Sequence, residues 1–277
     1  MRDQTMKQRP SLAAAIITLN EQENIRECLE SVEEFVDEIV VLDSFSKDAT
    51  EKICREYEKV RFFQHSFDGH IQQKNRALEK CASEWILAVD ADERVSPELR
   101  QSIEEFLAKQ PLVHGAKMAR LTYHLKKYIR HGGWYPNARY RLIRKGKAFW
   151  GGENPHDLLI IEGEGVTLAG DLIHLSFKDL SDQIQTINNF SSIVALTRFN
   201  NGKNGSLGRI LWKPTSKFFE LYFIKKGFLD GIQGFIIAVS SSFSTFLKEA
   251  KLFELSRLNS VQPSNLSSSL YQKKRQN

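Results

Sequence analysis

The stretch Trp85-Ile86-Leu87-Ala88-Val89-Asp90-Ala91-Asp92-Glu93 indicates both the fold class and the place of a functional site. Its apolar run ends directly in acidic residues, which is typical of a strand buried on both faces of a sheet. Similar runs lie at residues 12–19 and 38–43, and a segment with helical spacing separates them. Strands that alternate with helices predict an α/β fold whose parallel sheet is covered on both faces.

Polar residues follow the predicted strands at the edge where such sheets bind ligands. The carboxyl ends of parallel strands meet there, and helix N-termini point free N–H groups outward. The polar residues are Asn20 and Glu21 after the first strand, Asp43 and Ser44 after the second, and Asp90, Asp92 and Glu93 after the fourth.

Asp90 and Asp92 form the most informative pair. Two carboxylates one residue apart on an extended backbone lie on the same side and can share a hard divalent cation. Mg²⁺ or Mn²⁺ held by one or two carboxylates keeps positions open for substrate phosphates. The alternative is structural: Asp90 ends the strand, and Asp92 and Glu93 cap a helix that begins near Pro97.

Charge is unevenly distributed along the chain. The 277 residues contain 39 Lys plus Arg and 34 Asp plus Glu, but residues 203–277 carry +8 and residues 1–202 carry −3. Residues 106–152 contain 11 basic residues and no acidic residue. This pattern favours an anionic partner, and a solvated basic face is the alternative interpretation of the acid-free stretch.

Cysteine usage and apolar runs indicate the compartment. Cys28, Cys54 and Cys81 lie far apart and lack metal-ligand spacing, which argues against a disulfide framework or a zinc site. The first ten residues contain no apolar signal segment, and no apolar run reaches eighteen residues. We therefore expect a cytoplasmic protein without a spanning helix.

Five motifs follow one another along the chain. They are Ile16-Ile17-Thr18-Leu19-Asn20-Glu21, residues 37–44 (DEIVVLDS), Gln73-Lys74-Asn75, residues 85–93 and His131-Gly132-Gly133-Trp134-Tyr135-Pro136. Together they resemble family 2 glycosyltransferases of GT-A fold, and within them the lipopolysaccharide or lipooligosaccharide core β-1,4-glucosyltransferase group, over residues 11 to about 255. The resemblance implies a Rossmann-like, mixed α/β sheet of the nucleotide-diphospho-sugar transferase type.

The resemblance implies a binding site for a nucleotide sugar. Asp43 would contact the uracil or the ribose. Lys74 stands where the family usually has Arg, so this contact with the nucleotide base keeps its charge but loses the fork geometry. Phe45 stands where the family often has Gly, which puts the shape of that loop in question. The implied nucleotide-pocket residues are Thr18, Asn20 and Glu21, and the implied ligands of the metal (Mg or Mn) and the diphosphate are Asp90 and Asp92.

The resemblance also implies a general base and an acceptor side. An inverting transfer needs a carboxylate that deprotonates the acceptor hydroxyl. Asp157 is the first candidate and Glu153 the second, with His156 beside them; the alternative is a turn that leads into a strand at residues 158–161. The predicted acceptor residues are His131, Trp134, Tyr135 and Arg139, although Trp134 equally suits core packing.

The C-terminal third combines aromatic residues with lysines. Such a composition, without a spanning segment, is typical of helices that lie in a membrane interface. A helical hairpin on the catalytic domain or a dimer contact are the alternatives. The predicted organisation is an N-terminal tail (1–10), a GT-A catalytic domain (11–200), a helical membrane-associating extension (201–258) and a disordered basic tail (259–277).

The sequence thus predicts an inverting transferase at the cytoplasmic face of the inner membrane. Its expected partners are a UDP-sugar, with glucose as the sugar, a lipopolysaccharide core acceptor and an anionic membrane surface, with no nucleic acid. A polyprenyl-phosphate acceptor is the second enzymatic hypothesis. A non-catalytic protein that binds nucleotide sugars or nucleic acid is the distant alternative.

Overall fold

The computed structural model describes residues 9–153 and 156–257, apart from the side chains of Glu153 and His156. This part of the chain forms two compact units. The first unit comprises residues 9–120 and 137–174, and the second comprises residues 121–136 and 175–257. The predicted N-terminal tail up to residue 8 and the predicted C-terminal tail lie outside the described residues.

Strands and α-helices alternate along the chain from residue 12 to residue 90. The strands are β1 (Leu12–Thr18), β2 (Glu38–Asp43), β3 (Val60–Gln64), β4 (Trp85–Asp90), β5 (Glu93–Val95), β6 (Gly115–His124), β7 (Lys127–Ile129), β8 (Arg139–Arg144), β9 (Ala148–Glu153), β10 (His156–Ile161) and β11 (Gly165–His174). The α-helices are α1 (Ile25–Glu33), α2 (Thr50–Cys54), α3 (His70–Lys80), α4 (Pro97–Ala108), α5 (Leu180–Asn200), α6 (Leu207–Phe219) and α7 (Ile232–Arg257).

The main sheet of the first unit is mixed. In the described residues its strand order is β3-β2-β1-β4-β8-β6-β11-β5. Strands β3, β2, β1 and β4 pair in parallel, whereas β8 pairs antiparallel with β4 and with β6. Strands β9 and β10 form a separate antiparallel pair. The predicted mixed α/β fold is confirmed.

Strand β1 is buried along its whole length because each face of the sheet is covered. Leu12, Ala14 and Ile16 join the core that contains α1 and α4, whereas Ala13 and Ile17 join the core that contains α3. Successive side chains of a strand point to opposite faces, so a strand covered on both sides reads as a continuous apolar run. The same alternation decides which face each polar strand end occupies.

Helix α4 begins at a well-defined cap. Ser96 Oγ accepts the N–H of Leu99 at 3.2 Å, and Pro97 takes the first helical position, where no N–H is needed. Ser96 therefore caps this helix, and the alternative in which Asp92 and Glu93 cap it is wrong. Gly170 of β11 has a φ of 89°, and a Cβ there would lie 2.3 Å from Leu99 N. Only glycine therefore allows β11 to approach α4 so closely.

The second unit consists mainly of α5, α6 and α7. Helix α5 begins at Leu180, and it belongs to the same unit as α6 and α7. The unit boundary at residue 174 thus differs from the predicted domain boundary at residue 200. Lys251 of α7 explains the difference, because its Nζ donates to Asn188 O at 2.7 Å and to Ser191 Oγ at 2.8 Å on α5.

One buried carboxylate connects these three helices. Glu249 of α7 is 2% exposed and lies 2.9 Å from Arg198 of α5 and 2.7 Å from Lys213 of α6. Burial opposes its ionisation, but Lys213 and Arg198 outweigh burial and lower the pKa of this carboxyl group. The charged side chain therefore contributes to the packing of the unit.

Within residues 9–153 and 156–257, no helix combines the length and apolar character that crossing a membrane requires. The three cysteines are buried and unpaired. Burial raises the pKa of the Cys54 and Cys81 thiols to about 12, so both thiols stay protonated at neutral pH.

Candidate active site

Asp90 lies at the carboxyl end of β4, on the face of the sheet that α3 covers. It follows Ile86 and Ala88, which pack into the α3 core. One carboxylate oxygen lies 2.9 Å from Lys74 Nζ on α3, and the other lies 2.9 Å from Arg141 Nη2 on β8. Burial opposes ionisation, but Lys74 and Arg141 hold the pKa of Asp90 well below its usual range. The side chain is therefore anionic at neutral pH.

Lys74 joins Asp90 to the predicted base. Its ammonium lies 2.8 Å from Asp157 Oδ2 and 4.3 Å from the centre of the Trp150 ring. The side chains of Lys74 and Asp157 are 10% and 15% exposed. One buried cation thus fixes two carboxylates that the sequence separates by 67 residues. Lys74, whose contact with a nucleotide base stays a prediction, lies at the centre of a carboxylate cluster.

Arg141 carries donors that the described residues do not satisfy. Its Nη2 donates to Asp90 and, at 2.8 Å, to Glu93 Oε1, but its Nε and Nη1 are buried without a hydrogen-bond partner among the described residues. Burial disfavours the charge, yet Glu93 and Asp90 outweigh burial and raise the pKa of the guanidinium. Buried unpaired donors at a site of this kind favour a ligand with anionic oxygens.

These side chains line a narrow cleft. Its walls come from β1, β4, α3, β8 and β9, so it lies along the carboxyl half of the two central strands. This is the place where open α/β sheets bind ligands. The lining residues are Ala15, Ile17, Lys74, Ala77, Leu78, Ala88, Val89, Asp90, Arg141 and Trp150.

Asp92 lies in a turn between β4 and β5, so the expected extended backbone after Asp90 is wrong. Its Oδ2 lies 3.5 Å from His174 Nε2, and its side chain is 31% exposed. Burial opposes ionisation, but His174 outweighs burial and lowers the pKa of Asp92. Sequence reasoning missed His174, because it lies at the end of β11, 82 residues away.

Asp90 and Asp92 fit a divalent cation of the Mg²⁺ type. Among the described residues, no cluster of three or more His, Cys, Asp or Glu side chains forms a complete metal site. Mg²⁺ needs only one or two carboxylates when substrate phosphates supply further oxygens. Because Lys74 and Arg141 already engage both oxygens of Asp90, Asp92 is the more accessible of the two candidate ligands.

Thr18 and Asp43 meet at the neighbouring strand ends. They are paired in the register of β1 and β2, and Thr18 Oγ1 donates to Asp43 Oδ1 at 2.9 Å. Ser46 N donates to Asp43 Oδ2 at 2.8 Å, and Asp43 is fully buried. The carboxylate thus shapes the loop after β2, and its contact with the nucleotide stays a prediction.

The loops after β1 and β2 each contain a residue in the left-handed region. Asn20 has a φ of 56°, and its Oδ1 accepts the N–H of Lys47 at 2.8 Å. Phe45 has a φ of 60° and is 52% exposed. A glycine fits this conformation best, and glycine is the residue that the resemblance leads us to expect at this position. Glu21 lies beside the loop and accepts Asn24 Nδ2 at 2.8 Å.

The predicted acceptor residues are divided between the units. His131, Trp134 and Tyr135 belong to the second unit, and Arg139 begins β8 in the first. The ring of Trp134 packs 5.8 Å from His124, and Arg130 lies over the ring of Tyr135 at 5.3 Å. Glu153 and His156 are paired in the backbone register of β9 and β10.

Comparison with known proteins places this site in a family. Residues 14–157, which include Asp43, Lys74, Asp90 and Asp157, match the family model for glycosyl transferase family 2. The chain belongs to this family. The family 2 assignment from the five motifs is therefore confirmed, and this glycosyltransferase has its cleft and charged cluster inside the matched region.

Two relatives match this glycosyltransferase over most of their length. The lipopolysaccharide core biosynthesis glycosyltransferase LpsC of Rhizobium meliloti (strain 1021) is 32% identical over 253 residues, which cover 88% of this chain and 92% of LpsC. An uncharacterized glycosyltransferase of Rickettsia bellii (strain RML369-C) is 31% identical over 88% of this chain and 87% of its own. The relation to a lipopolysaccharide core enzyme is thus confirmed.

A solved structure supports the fold. The mannosyltransferase PcManGT from Pyrobaculum calidifontis, solved in complex with GDP-Man and Mn²⁺, aligns with a TM-score of 0.52 over 89% of this chain and 88% of its own. At 12% identity, this likeness concerns the fold alone. The predicted GT-A-like architecture is confirmed.

Proposed function

We propose that this glycosyltransferase transfers glucose, with inversion, from a UDP-sugar to a lipopolysaccharide core acceptor. The observation that carries the proposal is the similarity to LpsC over nearly the whole of both chains. The charged cluster around Asp90 supports it, because the cluster combines the carboxylates and cations that such a transfer uses.

The donor diphosphate would bind beside Arg141. The unpaired Nε and Nη1 of this residue suit phosphate oxygens, and Lys74 adds a second positive charge to the same cleft. Asp90 and Asp92 would hold Mg²⁺ or Mn²⁺, which supplies positive charge for the leaving nucleotide diphosphate. The Mn²⁺ in the PcManGT complex is consistent with such an ion.

Asp157 would act as the general base. Lys74 lies 2.8 Å from its carboxylate and fixes the orientation of that group. The acceptor oxygen forms a bond to the anomeric carbon, while the bond from that carbon to the diphosphate oxygen breaks. The acceptor proton moves to Asp157, and the bonding electron pair leaves with the nucleotide diphosphate.

The second unit would hold the enzyme on the cytoplasmic face of the inner membrane. Its described residues carry 14 basic and 6 acidic side chains, a net charge of +8. Large apolar side chains are exposed on it, including Trp212 at 71% and Ile224 at 76%. Basic groups beside exposed aromatic and aliphatic groups suit an anionic bilayer.

A donor and acceptor screen tests the proposal. The full-length protein is incubated with UDP-, GDP- and ADP-sugars and Mg²⁺ or Mn²⁺, and nucleotide release and product mass are measured. We expect release of UDP from UDP-glucose and addition of one hexose to deep-core lipopolysaccharide. Transfer to polyprenyl phosphate alone would support the second enzymatic hypothesis. Absence of release from every donor would contradict the transferase assignment.

A further inference from the structure

Residues 225–231, which we call the docking segment, make a compact turn before α7. They contain a short 3₁₀ helix, Gly227–Asp230. Gly234 of α7 packs against this segment, because a Cβ on Gly234 would lie 1.8 Å from Gly227 O. Lys226 adopts a φ of 56°, and Gly231 a φ of 68°. These constraints fix the path of the backbone.

Asp230 is a buried carboxylate of the docking segment that the proposed transfer does not use. It is 3% exposed and accepts two backbone N–H groups through Oδ2, from Arg130 at 3.1 Å and from His131 at 2.7 Å. Its Oδ1 lies 3.2 Å from His131 Nδ1. A carboxylate that accepts backbone donors in this way makes charge-assisted hydrogen bonds, which are among the strongest in proteins.

Two further hydrogen bonds connect the same partners. Lys127 Nζ donates to Asp230 O at 2.8 Å, and Gly132 N donates to Lys225 O at 2.8 Å. The docking segment therefore holds the backbone N–H groups of residues 130, 131 and 132. Residue 130 directly precedes the HGGW loop (residues 131–134), and residues 131 and 132 begin it. The family resemblance predicts that this loop contacts the acceptor.

The docking segment also exposes apolar side chains to solvent. Phe228 is 46% exposed and Leu229 is 52% exposed, directly before the buried Asp230. Lys226 is exposed beside them, in a unit with a net charge of +8. Apolar side chains next to cations are complementary to a bilayer that contains anionic lipids, so such a bilayer would cover this surface.

We propose that Asp230 is a positioning residue that fixes the HGGW loop to the membrane-contacting docking segment, so that binding of an anionic bilayer also restrains the loop. This inference rests on the proposed function for the acceptor role of the loop. Phe228 and Leu229, which would contact lipid, and Asp230, which holds the loop, belong to one turn. Membrane binding would therefore bring a lipid-linked acceptor and the loop to the same surface.

Hydrogen–deuterium exchange on the full-length protein tests the coupling without any sugar transfer. Vesicles that contain phosphatidylglycerol should slow exchange in peptides that cover residues 225–231 and 128–134 together. In Asp230→Asn the vesicles should still protect residues 225–231, but exchange in the loop should be about tenfold faster, because the neutral amide oxygen accepts the two backbone N–H groups more weakly than the carboxylate does. Unchanged loop exchange in the wild type with vesicles, or retained loop protection in Asp230→Asn, would overturn the inference.

Surface variants keep the test valid if Asp230→Asn does not fold. The double variant Phe228→Ser/Leu229→Ser alters only exposed side chains, and it should weaken vesicle binding about tenfold or more. It should also abolish the vesicle effect on the loop. Asp182→Asn, in the first turn of α5, is the matched control and should behave as the wild type. Loop protection by vesicles in the double serine variant would contradict the proposal.

Kinetics separate a positioning role from general destabilisation. Asp230→Asn should raise the KM for a membrane-embedded acceptor about tenfold, while the KM for the donor changes less than about twofold. Equal changes in both KM values would indicate a structural effect and overturn the inference. If the wild type transfers no sugar, the proposed function fails, whereas the exchange experiment still decides the coupling.

Discussion

Replacement of Lys74 by methionine perturbs the charged cluster most directly. Methionine keeps much of the side-chain length but removes the ammonium that lies 2.9 Å from Asp90 and 2.8 Å from Asp157. Hydrogen bonds to charged groups contribute about 1.5–3 kcal/mol each. Two such contacts, discounted by about half because the carboxylates are partly exposed, predict a loss of about 1.5–3 kcal/mol in the free energy of unfolding.

The same variant should also lose activity. A loss of about 1.5–3 kcal/mol at the transition state corresponds to a decrease of about 10- to 150-fold in kcat/KM. Urea unfolding and UDP release with saturating acceptor measure the two effects. Lys74→Arg, which keeps a positive charge beside the two carboxylates, should recover most of the activity. Lys52→Met removes an exposed lysine of α2 and is the control. Wild-type stability and turnover in Lys74→Met would refute the role of this cation.

Three further predictions concern single side chains. Asp92→Asn should raise the Mn²⁺ concentration for half-maximal transfer at least about tenfold, and an unchanged metal titration would exclude Asp92 as a ligand. Glu249→Gln should lower the free energy of unfolding by about 2–3 kcal/mol at pH 7, measured by urea titration. Because the pKa of Glu249 is lowered on folding, its contribution is complete above the unfolded value of 4.5 and is lost as the pH falls through the folded value. If the free energy of unfolding of Glu249→Gln depends on pH in the same way as that of the wild type, the role of Glu249 is contradicted. Phe45→Gly should raise the free energy of unfolding by about 0.5–1 kcal/mol, since it relieves a φ of 60°, whereas Phe45→Ala keeps that strain.

The parallel half of the sheet was predictable because its strands are buried on both faces. Strand β2, predicted at residues 38–43, is observed at Glu38–Asp43. Polar strand ends such as Thr18 and Asp43 could be predicted to meet, because parallel strands end at the same edge.

The antiparallel half was not predictable from apolar runs. Strand β8 reads Arg-Tyr-Arg-Leu-Ile-Arg, and Arg141 in its centre is buried only because Asp90 and Glu93 supply counter-charges from β4 and β5. The sequence feature that indicated a special role for Arg141 was the acid-free basic stretch at residues 106–152. Part of the positive charge of this stretch is buried inside the protein. His174 carried no comparable signal, because its partner Asp92 lies far away in sequence.

Asp157→Asn removes the proposed base from the charged cluster around Asp90 and Asp157, which would carry out the sugar transfer. Asparagine keeps the shape but cannot accept the acceptor proton, so transfer should fall by about 10²- to 10⁴-fold. Binding of the UDP-sugar, measured by calorimetry, should stay close to that of the wild type and of the control Asp68→Asn. Transfer at the wild-type rate in Asp157→Asn would contradict the account.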